Sequence, residues 1–287
     1  VKRKVGPDGE TKLESDVQAG AYKPTPTRYP CMNLAELTER YDDRLRTDDF
    51  ADIDASANGL QVGPNDPEAV DVERVAFAVD AAERTIEEAV ERDADALVVH
   101  HGLSWGGIER VTGRDYRRIA PLIENDVALY VSHLPLDSHP ELGNAAGVAD
   151  LLGLESREPF GRTGPEHIGQ QGHGDLTRVE IGDLLSSELD TGGRDVQQFD
   201  FGPEEIARVA IVTGSGVDWL DEAVEVGADA LITGEGKQKV YHEAREAGLN
   251  VFLAGHYATE TFGVKSLESL AEEWGLTTTF IDAPTGL

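Results

Sequence analysis

An internal repeat is the strongest constraint on this chain. Residues 75–102 read VAFAVDAAERTIEEAVERDADALVVHHG and residues 209–236 read VAIVTGSGVDWLDEAVEVGADALITGEG. They align without a gap at an offset of 134, with 11 of 28 positions identical. Each copy reads as strand, turn, helix, strand. Ile86, Ala89 and Val90 mark the apolar face of the first helix, and Leu220, Ala223 and Val224 match it. The repeat continues at an offset of 123: residues 127–137 (VALYVSHLPLD) and 250–260 (NVFLAGHYATE) each run a strand into a histidine with an acid four residues later. Duplicated α/β halves of this kind pack about a pseudo-dyad, with equivalent strand ends facing one another.

Chemistry gathers at those strand ends. The run Ala96-Leu97-Val98-Val99 ends in His100-His101-Gly102, and open α/β sheets place their sites beyond the carboxyl ends of strands. Neighbours in a regular strand point to opposite faces. The two histidines therefore meet only where the strand ends, or each serves a different metal of a pair. Gly102 is read as permitting a sharp turn. The first half also supplies His133 and Asp137; the second supplies Glu235, aligned with His101, and His256 and Glu260 at i, i+4 on one helix face. Imidazole and carboxylate without thiolate is the donor set of catalytic Zn, Mn or Fe sites. Asp137 has two oxygens with which to bridge. Five or six ligands exceed one open tetrahedral site and suit two ions about 3.5–4 Å apart.

Each residue alone has a plainer reading. Asp137 can cap a helix that follows at Pro140, with His139 as a capping neighbour. Glu235 can be a turn residue, and His256 with Glu260 a solvated pair. His242 falls on the polar face of a helix, and His167 and His173 on exposed loop. The case for a metal site rests on the coincidence of these residues at equivalent ends of a repeated framework.

Composition narrows the function classes. The net charge is −30, with 55 acids against 25 Lys+Arg, of which seven are lysines. Acidic, lysine-poor composition is that of proteins adapted to high salt, where charge maintains solubility under strong screening. It leaves no basic patch for nucleic acid. The single cysteine, Cys31, excludes an internal disulfide and cysteine-rich zinc sites. No apolar run approaches the roughly 18 residues of a membrane span, so a cytoplasmic protein is expected. Thr213-Gly214-Ser215-Gly216 follows a strand but lacks a dinucleotide fingerprint, and no Walker lysine is found. Residues 1–31, rich in Pro, Gly, Lys and Thr, read as a disordered tail or start-site extension ahead of Met32. Residues 32–154 form the first half, 155–205 a connecting segment with a short helix over Ile181–Leu189, and 206–287 the second half. A helix is predicted from Asn33, with Leu34, Leu37, Tyr41 and Leu45 on one face.

Val98-Val99-His100-His101-Gly102, then His133-Leu134-Pro135-Leu136-Asp137-Ser138-His139-Pro140-Glu141-Leu142-Gly143-Asn144, Thr233-Gly234-Glu235 and Gly255-His256-Tyr257-Ala258-Thr259-Glu260 resemble the YbgI-like, Nif-three-like dinuclear metal proteins named GTP cyclohydrolase 1 type 2 homologues. Asn58-Gly59-Leu60-Gln61-Val62 fits the same resemblance, which covers Met32 to Leu287. It implies a three-layer α/β/α fold from two intertwined halves, a ring-shaped homohexamer, and two divalent ions per chain. Carried over by position, the ligands are His100, His101, Asp137, His256 and Glu260, with His133 and Glu235 beside them to position ligands or handle protons. The implied activity is metal-dependent hydrolysis of a nucleotide or phosphoester. A non-catalytic metal-handling or scaffold ring is the alternative.

Overall fold

The computed structural model describes residues 32–287; the tail assigned to residues 1–31 lies outside the described residues. The chain runs through β1 (Met32–Asn33), α1 (Leu34–Leu45), β2 (Gly59–Val62), β3 (Asp71–Val72), β4 (Arg74–Asp80), α2 (Glu83–Glu91), β5 (Ala96–His101), α3 (Arg114–Glu124), β6 (Ala128–Val131), the single turn α4 (Leu134–Asp137) and α5 (Asn144–Leu151). It continues through β7 (Glu155–Thr163), β8 (Glu166–Thr177), α6 (Arg178–Glu188), β9 (Gln197–Asp200), β10 (Glu205–Ile211), α7 (Leu220–Glu225), β11 (Ala230–Thr233), α8 (Val240–Ala247), β12 (Asn250–Leu253), α9 (His256–Glu273) and β13 (Thr277–Phe280).

Two sheets carry the repeat. One has the order β13-β4-β5-β6-β2, the other β7-β8-β10-β11-β12-β9. The middle of each is three parallel strands from one copy, β4-β5-β6 or β10-β11-β12. An antiparallel strand closes the same side of each: β2 beside β6, and β9 beside β12. The short pair β1–β3 stands apart from both.

The two halves are intertwined through their helices. α5 follows β6 but packs Ala145, Val148 and Ala149 against Val209, Ile211, Ala230 and Ile232 of the other sheet. α9 follows β12 but packs Val264, Leu267 and Ala271 against Val75, Phe77, Ala96 and Val98 of the first. The exchanged helices touch closely. A Cβ on Gly147 would fall 2.4 Å from the Cβ of Phe262, and one on Gly263 would fall 2.7 Å from Asn144 Oδ1. On the outer faces, Ile86 of α2 and Leu122 of α3 cover Leu97, Val99 and Leu129, while Leu220, Ala223, Val240 and Ala244 of α7 and α8 cover Ala210, Leu231 and Val251. Each sheet is thus the centre of an α/β/α sandwich. Coverage on both faces explains why β5 is a continuous apolar run rather than an alternating one.

α1 starts where predicted. The Asn33 side chain accepts from Glu36 N at 2.8 Å, a cap worth about 1 kcal/mol, and Leu34, Leu37, Tyr41 and Leu45 are buried. Residues 155–205 depart from the reading as a connecting segment. The Gly/Arg-rich stretch is not loop but the hairpin β7–β8, and β8 and β9 pair with β10 and β12. Its glycines hid the strand signal because the backbones there approach too closely for side chains; a Cβ on Gly169 would lie 2.2 Å from Ile211 O. The short helix is α6, opened by a capping box between Thr177 and Glu180. Among the described residues, no helix is long and apolar enough to cross a membrane.

Candidate metal centre

Three strand ends and one helix start converge. Along β5 the side chains alternate: Ala96 and Val98 enter the core under α9, and Leu97 and Val99 the core under α2 and α3. His100 continues the first series and is fully buried; His101 continues the second and is half-buried. Both rings lean over the end of the strand, with centroids 4.6 Å apart. Near the start of α9, one turn after His256, Glu260 enters the space between them. Its Oε1 lies 3.7 Å from His100 Nε2, and its Oε2 lies 3.3 Å from His101 Nε2 and 3.2 Å from His256 Nε2. Asp137, closing the turn after β6, puts Oδ2 at 3.6 Å from His100 Nε2. The two faces of β5 are therefore reconciled by one carboxylate with an oxygen toward each. Asp137, read from the sequence as able to bridge, turns one oxygen to His100 and with the other accepts from Asn144 Nδ2 at 2.8 Å.

Every imidazole in the cluster is held by Nδ1. His100 meets Ser132 O at 2.9 Å, His101 meets Asp80 Oδ1 at 2.9 Å, His133 meets Asp54 Oδ1 at 2.9 Å, and His256 meets Glu235 Oε1 at 3.2 Å. An oxygen on Nδ1 fixes the tautomer with Nε2 as the free lone pair, the arrangement of metal-binding histidines. Glu235, expected beside the ligands to position them or handle protons, lies against His256 Nδ1, and it accepts in turn from the Ser215 hydroxyl. His133 is drawn in further than expected: a nitrogen of His100, of His101 and of His133 lie within 4.8 Å of one another, as do donor atoms of His101, His256 and Glu260.

The charges are strongly coupled. Burial works against the charge on His100, but the carboxylates of Asp137 and Glu260 outweigh it and raise its pKa to about 10. His256 is likewise opposed by burial and raised to about 9 by Glu260 and Glu235. Burial also resists the charge on Glu260, yet His100 and His101 hold its carboxyl well below the usual range. At Asp137 burial wins and the pKa rises.

The donors fit a metal. Among the described residues, His100 Nε2 and Glu260 Oε2 are buried without a hydrogen-bond partner, an arrangement that costs about 1–3 kcal/mol per group unless something else binds them. Space is kept clear on the far side as well: a Cβ on Gly214 would lie 2.3 Å from Glu260 Oε1 and 3.0 Å from His256 Nε2. The centre opens into a cleft of about 800 Å³ lined by His101, Trp105, His133 and Trp219 among others.

Asp80 and Asp54 were missed by sequence reasoning, and Asn58 entered it only as part of the Asn58-Gly59-Leu60-Gln61-Val62 motif, without a role. The parallel register pairs Asp80 with His101, a signal available once β4 and β5 are aligned. Asp54 and Asn58 lie in loop-rich sequence with no periodicity to place them. Asn58 Oδ1 accepts from His133 N at 2.7 Å, and its Nδ2 donates to Asp54 at 2.8 Å. Gly102 serves close packing rather than a left-handed turn: a Cβ there would fall 2.5 Å from Gln61 Nε2 and 2.6 Å from Val131 Cγ2. His139 accepts from Glu141 N and Leu142 N in the turn before α5, which starts at Asn144 rather than Pro140. His167 and His173 lie on β8 and His242 on α8, outside the cluster.

This geometry has relatives. The chain is 58% identical over 258 residues to a GTP cyclohydrolase 1 type 2 homolog of Halobacterium salinarum, covering 89% of this chain and 100% of the relative. It is 42% identical over 259 residues to the protein of the same name from Pyrococcus abyssi, with 89% and 100% covered. Among solved structures, TTHA1606 from Thermus thermophilus matches with a TM-score of 0.79 at 38% identity, and the protein ybgI, described as of unknown function, with 0.79 at 35%; each covers 89% of this chain and 100% of its own. The family model described as Duf34/NIF3 (NGG1p interacting factor 3) matches residues 32–285, so the strand ends, the exchanged helices and the histidine–carboxylate cluster all fall within it, and the chain belongs to the DUF34/NIF3 family.

Proposed function

We propose that the protein is a dinuclear metal-dependent hydrolase acting on a nucleotide or phosphoester. The observation that carries this reading is Glu260. Its two oxygens face different imidazoles, His100 on one side and His101 with His256 on the other, so one buried carboxylate spans two donor groups. His100, Asp137 and Glu260 would hold one ion, and His101, His256 and Glu260 the other. Two divalent ions held there supply Lewis acidity and a water of lowered pKa.

The chain's own residues do the rest. Ser132 O, Asp80 and Glu235 hold the ligand imidazoles in one tautomer. His133, half-buried at the cleft and paired with Asp54, is placed to take and return a proton. Trp105 packs edge-on to the His133 ring at a centroid distance of 4.9 Å. Zn, Mn and Fe(II) all suit this donor set.

The test is metal content by plasma mass spectrometry, on protein kept in molar potassium chloride without chelator, followed by a phosphoester and nucleotide panel. About two equivalents of one ion with metal-dependent turnover supports the proposal. His133→Gln is expected to keep the metal and lose turnover. Two equivalents with no turnover across the panel overturns the hydrolase reading in favour of a metal-handling role, and no uptake overturns both. The reading also takes the chain to be a homohexamer, in keeping with the exposed Ile108, Val111, Tyr116 and Ile123 on and before α3; a monomer by light scattering would refute that part.

A further inference from the structure

One wall of the cleft is cationic, in a chain of net charge −30. Arg84 of α2 and Arg118 of α3 line it together with His101, His133 and Glu260. Arg118 Nε is buried and has no hydrogen-bond partner among the described residues. Buried donors are almost always satisfied, and an unmet guanidinium donor is more costly than a neutral one. Arg84 gives Nη2 to Asp282 O at 3.1 Å, a neutral carbonyl. Three of the acids nearby have other partners. Arg117 binds both oxygens of Glu83 at 3.0 Å. Asp80 is held by His101 and Asp137 by Asn144.

The repeat shows that this wall belongs to one half. Arg84 aligns with Asp218 at the offset of 134, and Asp218 is a surface acid paired with Lys237 and Lys239. The opposite wall carries Thr213, Ser215 and Trp219. A donor cluster built from two similar halves is thus flanked by unlike walls, and an anionic ligand has one favoured orientation.

We infer that Arg84 and Arg118 form a subsite for the phosphoryl group of the substrate, beside the metal centre. The guanidinium fork matches phosphoryl oxygens, and a cleft of about 800 Å³ accommodates a nucleotide-sized body beyond that group. The assignment deepens the hydrolase reading and rests on it for the fate of the ligand, but binding can be measured without turnover.

The probe is 4-fluorophenylphosphonate, which is not hydrolysed, titrated by fluorine NMR at fixed potassium chloride into zinc-loaded protein and into metal-free protein. Arg118→Gln and Arg84→Gln are each expected to weaken binding about ten-fold, and the double variant about a hundred-fold. Arg114→Gln, at an exposed arginine beside Asp115, leaves it unchanged. 4-Fluorobenzoate is expected to bind more weakly than the phosphonate. Absence of phosphonate binding to the parent protein in both forms, equal affinity in the double variant, or equal affinity for the benzoate would each overturn the proposal. Metal counted in the same samples separates the two readings: missing metal refutes the hydrolase, whereas full metal with arginine-independent binding refutes the subsite.

Discussion

Gly214→Ala tests the metal centre without touching a donor atom. The new Cβ would stand 2.3 Å from Glu260 Oε1 and 3.0 Å from His256 Nε2. A carbon–oxygen contact needs about 3.3 Å, so the carboxylate must retreat by about 1 Å. Metal–ligand distances tolerate only about 0.2 Å, so the displacement is several times what the centre can absorb. The loop cannot easily yield instead: Gly214 O accepts from Gly234 N and Glu235 N, each at 2.9 Å, and from Thr233 Oγ1 at 3.1 Å. Gly214 also sits at φ +58°, where alanine costs about 1–2 kcal/mol. The expected result is a folded protein melting about 2–8 °C lower, with at most one metal per chain against the two proposed for the parent. Metal content by plasma mass spectrometry and thermal denaturation followed by circular dichroism, both in molar potassium chloride, read the two effects separately. Two equivalents of metal at unchanged affinity would refute the claim that this glycine keeps the space beside Glu260 clear for an ion.

Three further outcomes follow from the same contacts. Asp80→Asn can no longer hold the His101 Nδ1 proton as a charged acceptor; affinity for the ion at His101 should fall about 10–100-fold by metal titration, with little change in melting. Metal loading should release protons near pH 7.5. His100 and His256, with pKa values raised to about 10 and about 9 in the metal-free protein, are protonated there, and ligation needs them neutral. Apparent affinity therefore rises with pH up to about 10, the value for His100, and calorimetry in two buffers of different ionisation enthalpy counts the protons; a buffer-independent heat would contradict the coupling. Gly147→Ala pushes a methyl to 2.4 Å from Phe262 Cβ where α5 meets α9, and denaturant unfolding should show a loss of about 1–3 kcal/mol.

The sequence determined a good deal by itself. Repeats at two offsets established two α/β halves, because strand and helix periodicity survive divergence as long as each half must bury the same faces. They also placed His100, His101, His133, Asp137, Glu235, His256 and Glu260 at strand ends, since a strand's carboxyl end can be read from where its apolar run stops. Tertiary structure decided what those residues do to one another. That Glu260 rather than Asp137 lies between the imidazoles follows from α9 crossing to the opposite sheet, an exchange that local pattern does not encode. The same holds for Asp54 and Asn58, which reach His133 across 79 and 75 residues of chain, and for Arg118, whose unmet donor is visible only once α3 is laid beside the cleft. Periodicity reports which face of an element is buried; which groups meet there is set by packing between elements distant in sequence.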